Sequence, residues 1–235
     1  DLILGTTPVY VKESPFLSKV QSKTGYLPIG VDPHPWLGDE IREIRQQYPG
    51  KKILFNIGRL VSYKGYQYLI EAMVHLPQEY VLLIGGKGPL KKELQELIDR
   101  LGLQERVKLL GFISDTLKPA YFGACDVFCL SSTLKTEAYA IVQVEAMSLG
   151  RPIVATEIPG SGVAWVNAHQ ESGLNVPIED APALAQAIQK ICQDPELWSS
   201  YSKGSRQRFF EIFTKDEMIN QLIRIYTELL HPTIP

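Results

Sequence analysis

"KILFNIGRLVSYKGYQYLIEAMVHLPQEYVLLIGG", residues 52–86, decides the architecture. Its ends, 52–58 and 80–86, are short apolar runs closed by glycine, the pattern of strands buried on both faces. Between them, residues 65–76 carry apolar side chains at helical spacing. Two strands joined through a helix pair in parallel.

Outward from this unit the alternation continues. "VKLLGF", "DVFCLSS", "PIVAT" and "GLNVP" read as further buried strands, and "PLKKELQELIDRLGL", "EAYAIVQVEAMSLG" and "DAPALAQAIQKICQ" as the helices between them. Strand and helix alternating about six times predict an α/β fold with a parallel, doubly wound sheet. Such a fold binds ligands at the carboxyl ends of its strands. Residues 1–32 do not follow the pattern and read as the tail of another domain, with a linker at "DPHPW"; the chain opens in an apolar run without an initiator Met, as an excised piece would. Residues 195–230 read as two amphipathic helices parted near Phe213 and Thr214, with Thr214 and Glu217 fitting a capping box.

Composition narrows the function. A length of 235 residues with 45% apolar content sustains a full core. A formal charge of −2 gives no general attraction to nucleic acid or anionic lipid, so a bound anion must be held by a local cluster. Cys125, Cys129 and Cys192 read as reduced, buried thiols of a cytoplasmic protein and lack the spacing of a zinc site. No apolar run reaches the length that spans a bilayer, and a peripheral place at the inner face of the membrane stays open.

Three segments fall where strands end. In "NIGRLVSYKGYQYL", Gly58 and Arg59 close a strand while Lys64 and Gly65 open the next helix. A planar guanidinium, an ammonium and a helix N-terminus together suit a diphosphate; the alternative is two solvated loop charges. In "IGGKGPLKK", Gly86 and Gly88 fit neither a dinucleotide fingerprint, since Lys91 stands where Gly is required, nor a phosphate loop, and a tight turn is favoured. The third segment, "TLKTEAYAIVQVEAMSLGRPIVAT" (133–156), holds Glu137 just before a helix expected over 140–149 and Glu145 inside it. Along the axis they stand about 8–12 Å apart. That matches two polyhydroxy groups joined by a diphosphate, each carboxylate accepting from vicinal hydroxyls, so a nucleotide sugar is the expected ligand. A solvated or dipole-suited acid is the alternative, stronger for Glu137 than for Glu145, whose neighbours are largely apolar.

Together "GRLVSYKG", "GFISD", the Glu137/Glu145 spacing, "EAMSLGRPIVAT" and "ESGLNVPIED" resemble the C-terminal half of family 4 glycosyltransferases, with the GT-B fold of two Rossmann-like domains. The likeness covers most of residues 51–230. It implies a retaining transferase that needs no metal and no cofactor beyond its nucleotide sugar donor. In it Arg59 and Lys64, beside Gly58, would hold the diphosphate, and Glu137 would contact the donor sugar as the catalytic carboxylate. Glu145 would bind the ribose. The backbone of Ala140, Ile141 and Val142 would meet phosphate or sugar, and the turn at Ile113 would flank the base. Ala140 departs from the family, which usually has Gly there.

The same resemblance divides the chain into 1–32, the tail of an N-terminal acceptor domain; 33–214, the nucleotide-sugar domain; and 215–235, a helix crossing back to the first domain. An unknown sugar or lipid-linked acceptor and that N-terminal domain are the implied partners, in polysaccharide biosynthesis. The family's catalytic His belongs to the other domain, and His34, His75, His169 and His231 are expected to be surface or packing residues. The chain alone is expected to be weakly active or inactive. A stand-alone binding module that needs a separate N-terminal chain is the rival reading; a dehydrogenase or epimerase would need the fingerprint that fails.

Overall fold

The computed structural model describes residues 1–230; the last five residues of the expected crossing helix, 231–235, His231 among them, lie outside the described residues. The chain begins with β1 (Ile3–Gly5), α1 (Pro8–Glu13) and β2 (Thr24–Tyr26), and its two strands pair in parallel as a sheet of their own. There follow α2 (Gly38–Gln46), β3 (Lys52–Ile57), α3 (Tyr66–His75), β4 (Tyr80–Gly85), α4 (Lys91–Arg100) and β5 (Val107–Gly111). The second half supplies α5 (Lys118–Ala124), β6 (Val127–Leu130), α6 (Ile141–Ser148), β7 (Ile153–Glu157), α7 (Val163–Val166) and β8 (Gly173–Pro177). Three helices close the described chain, α8 (Ala181–Gln193), α9 (Pro195–Arg208) and α10 (Lys215–Leu230).

The six main strands lie in the order β5-β4-β3-β6-β7-β8, all parallel. Alternation along each strand feeds a different core on each face. Leu54, Leu82 and Ile84 pack with side chains of α3, α4 and α8, whereas Ile53, Phe55, Val81 and Leu83 pack with those of α2, α5 and α6. Both faces are therefore covered, which is why these strands read as continuous apolar runs rather than alternating ones. The expected doubly wound α/β sheet is the observed one, and all six expected strands are present.

The chain runs outward from β3 through β4 to β5, then returns to place β6 on the other side of β3. At such a reversal the loops leaving the two central strands diverge, and a crevice opens at their carboxyl ends. The loops after β3 and β6, which carry Gly58 to Lys64 and Ser131 to Ala140, border it.

Some boundaries differ from the sequence reading. Lys64 ends a 3-10 turn over Ser62–Lys64, and Gly65 adopts a left-handed φ of 62° before α3 begins at Tyr66. The helix expected over 140–149 covers Ile141–Ser148, because Ala140 is itself left-handed with φ 59°. A π-turn at Phe209–Phe213 joins α9 to the break before α10. Thr214 accepts from the Glu217 N–H at 3.2 Å, half of a capping box, while the Glu217 carboxylate turns to Arg224. No described helix is long and apolar enough to cross a membrane.

Candidate functional site

The loop after β3 is pinned by the loop after β4. Leu60 N–H donates to Lys87 O at 3.0 Å and Leu90 N–H to Leu60 O at 3.1 Å. A Cβ on Gly86 would stand 1.8 Å from Gly58 O, and one on Gly88 2.3 Å from Leu60 O. Tight backbone packing thus accounts for both glycines, in keeping with the turn reading of that segment. It also fixes Gly58 and Arg59 at the crevice. Arg59 is exposed and makes no ion pair among the described residues.

Lys64 is buried, and its surroundings stitch β3 to β6. Ser131 Oγ donates to Lys64 O at 3.0 Å and Thr133 N–H to Tyr63 O at 2.8 Å, while a Cβ on Gly65 would lie 2.1 Å from Ser131 O. From this anchor Lys64 Nζ reaches across to the Glu137 carboxylate, which also accepts from Ser132 Oγ at 2.8 Å. Glu137 is only 7% exposed. Its main-chain oxygen takes a hydrogen bond from Ser161 Oγ, so both its backbone and its side chain are held. Beside this pair lies the Tyr66 hydroxyl, buried without a partner, which no sequence motif had singled out. Burial, and then the charge of Glu137, pushes the Tyr66 phenol up from its ordinary value.

α6 is sunk in the core from Gln143 to Ser148, and only its first turn reaches the crevice, with Ile141 exposed and Val142 half-buried. Ala140 supplies no side-chain cap, and the first turn holds no acidic residue. The helix therefore presents uncompensated N–H groups and its positive dipole end to the crevice.

Glu145, also 7% exposed, accepts from Lys118 Nζ at 2.6 Å, and the same oxygen lies 3.5 Å from His34 Nε2. Burial opposes the charged carboxylate, but the adjacent His34 imidazole and the bond from Lys118 outweigh it, and the pKa of Glu145 falls below its ordinary value. Lys118 moves the opposite way: burial lowers it, its bond to Glu145 prevails, and its pKa rises. His34, expected as a surface or packing residue, packs: it stacks on Phe122 with centroids 5.8 Å apart and brings the linker against Glu145. Ile113 is buried against the ends of β3 and β4, near Ile57 and Gly85, and the exposed ring of that loop is its neighbour Phe112, with Lys87 Nζ 5.3 Å from the centroid.

The structure thus brings Lys64 to Glu137 and sets the first turn of α6 between the two buried glutamates. Among the described residues no group of three or more His, Cys, Asp or Glu side chains could hold a metal. Cys125, Cys129 and Cys192 are free and buried, and burial pushes the thiols of Cys125 and Cys192 up to about 12.

Comparison with known proteins follows the same lines. The family model described as "Glycosyl transferases group 1" matches residues 38–208. O-antigen chain mannosyltransferase C of Escherichia coli is 33% identical over 233 residues, 98% of this chain and 61% of that protein. D-rhamnosyltransferase WbpZ of Pseudomonas aeruginosa is 29% identical over 216 residues, 91% of this chain and 56% of that one. Among solved structures, Anabaena Alr3699/HepE in complex with UDP superposes with a TM-score of 0.88 at 24% identity, covering 97% of this chain and 64% of that one. Sucrose-phosphate synthase of Thermosynechococcus elongatus gives 0.83 at 26%, covering 98% and 58%. The chain spans less than two thirds of each of these proteins.

Proposed function

The chain belongs to the group 1 glycosyl transferases and has the fold of a GT-B C-terminal domain; on that premise we propose that it is the donor-binding half of an enzyme that moves a sugar from a nucleoside diphosphate sugar to an acceptor. The observation that carries this reading is the Lys64–Glu137 pair, which spans the β3 and β6 loops at the reversal of strand order, beside the uncapped start of α6. Lys64 and Glu137 neutralise one another. A diphosphate would take over Lys64, together with Arg59 and the N–H groups of Ala140, Ile141 and Val142. The released Glu137 carboxylate would then accept from hydroxyls of the donor sugar. One ligand thus uses both members of the pair.

Glu145, fixed by Lys118 and His34, is assigned the ribose hydroxyls, and the turn at Ile113, with Phe112 exposed, the base. In transfer, positive charge develops on the sugar ring and negative charge on the departing diphosphate. Arg59, Lys64 and the α6 dipole would stabilise that negative charge from fixed positions. Departure with retention, membership of family 4 and independence of a metal rest on the sequence resemblance. The relatives' names, an O-antigen chain mannosyltransferase and a D-rhamnosyltransferase, favour a polysaccharide or lipid-linked acceptor in the cell envelope. With such an acceptor the protein would work in the cytoplasm at the inner face of the membrane.

Calorimetric titration tests the reading. Nucleoside diphosphate should bind equally with and without EDTA; loss of binding in EDTA would refute the metal-free site. Glu145→Ala should weaken nucleoside diphosphate and nucleotide sugar alike, by roughly 10- to 100-fold for lost hydrogen bonds to a charged group. Weakening confined to the sugar-bearing ligand would remove Glu145 from the ribose.

A further inference from the structure

At the amino end of the sheet, opposite the crevice, lies a second cavity of about 320 Å³, open on one side to solvent. Arg45, Lys52, Arg151, Asp126, Cys192 and Trp198 line it. Three cations face a single carboxylate, and that carboxylate is already engaged: Asp126 Oδ2 accepts from Arg45 Nη1 at 3.1 Å and from the Ile53 N–H at 2.7 Å. The local balance is two positive charges in a chain whose formal charge is −2. Arg151 is the unusual member. It is only 9% exposed and has no carboxylate partner among the described residues. Its Nε and Nη1 donate to the carbonyls of Leu149 and Cys125, each at 3.0 Å, and its guanidinium lies between the rings of Trp36 and Trp198 at 5.8 and 5.7 Å. Nη2 makes no hydrogen bond within the described chain.

A purely structural role explains two of the nitrogens of Arg151. It does not explain why the exposed Lys52 and the half-exposed Arg45 face the same cavity, where they repel each other and the buried Arg151. Burial already holds the Arg151 guanidinium below its ordinary pKa; Arg45 adds to that effect and Asp126 opposes it. An anion would remove the conflict. Guanidinium and ammonium groups together suit phosphate oxygens, a dianion matches the two uncompensated charges, and the indole of Trp198 offers an apolar wall for whatever the phosphate carries. We propose that this cavity binds a dianionic phosphate group, a phosphate monoester, at a site separate from the donor crevice and independent of its assignment.

Inorganic phosphate is the probe. Titrated into the ¹⁵N-labelled chain, it should move the Trp198 indole N–H resonance, identified with a Trp198→Phe variant, in a saturable way. The apparent affinity should fall by roughly tenfold or more in an Arg45→Ala/Lys52→Ala double variant, the loss expected for charge-assisted contacts. Both side chains are at least partly exposed, so this variant should fold, and its denaturation midpoint shows whether it does. In Arg59→Ala the response of Trp198 should persist, since Arg59 lies at the other end of the strands. The proposal is overturned by a resonance that does not saturate, by equal affinity in the double variant, or by a response that vanishes with Arg59→Ala.

Discussion

Glu145 places a buried carboxylate, an ammonium and an imidazole in one small volume, and this arrangement fixes how the protein responds to acid. Its folded pKa lies below the ordinary 4.5, so the charged form is favoured by folding. The resulting stability is complete above that ordinary value and is lost as pH falls through the folded pKa. Wild type should therefore lose stability between neutral pH and about pH 3.5 that Glu145→Gln, which cannot titrate there, does not lose. Urea midpoints at the two pH values measure this, and equal losses would show that Glu145 is not held by its partners. Ala140 is a second local constraint, a residue with a methyl group in a conformation that glycine favours. Relief of that strain in Ala140→Gly is offset by the lost methyl and by a freer unfolded chain, so stability should stay within about 1 kcal/mol. Ala140→Val puts a β-branched side chain at positive φ and should cost about 2 kcal/mol or more, read from the same urea curves.

At the scale of elements, the loops after β3 and β4 behave as one unit because Gly86 lets their backbones touch. Gly86→Ala forces a methyl to within 1.8 Å of Gly58 O at a φ of 132°. It should cost about 3 kcal/mol and weaken diphosphate binding by displacing Arg59; unchanged urea stability would refute the packing argument. The sequence was most informative about elements whose signal is local. All six strands of the main sheet were legible because a strand buried on both faces must be an apolar run, and glycine or proline closes each one except β6, which runs into Ser131 and Ser132. Glu137, Glu145 and Lys64 could be marked as candidates because their spacing relative to predicted strand ends is also local. Lys118 and His34 could not, since Lys118 stands 27 positions before Glu145 and only the packing of α5 beside α6 brings them together. Tyr66 was hidden for a similar reason: a tyrosine in an apolar helix reads as core, and its orphaned hydroxyl exists only in three dimensions. The π-turn before α10 escaped as well, because Phe209 and Phe213 carry the same apolar signal in either kind of helix.

For the whole molecule, the question is what the remaining surface is for. α10 has no buried residue, yet Ile219, Ile223, Tyr226 and Leu230 recur along it at helical spacing and are all exposed. It touches the segment leading out of β2, through Gln221 to Tyr26 O and Lys215 to Asp32, but those contacts are polar and leave the apolar stripe uncovered. An uncovered stripe of this kind favours association, and in the resembled fold the helix crosses to the other domain. That domain would carry the acceptor and close the crevice to water. Positioning and exclusion of water supply much of the rate in such reactions, whereas on the proposed reading donor affinity would depend on residues of this chain. The chain should therefore bind nucleotide sugar with nearly the affinity of a protein carrying the full upstream region, yet transfer little or no sugar. Paired calorimetry and transfer assays of the two proteins measure this. Sedimentation should at the same time show concentration-dependent association of the shorter one, diminished by Ile223→Glu. Equal transfer rates would place the acceptor site on this chain and undercut its reading as half of a two-domain enzyme. Weak donor binding by the shorter protein alone would mean that the crevice between β3 and β6 needs the other domain to form.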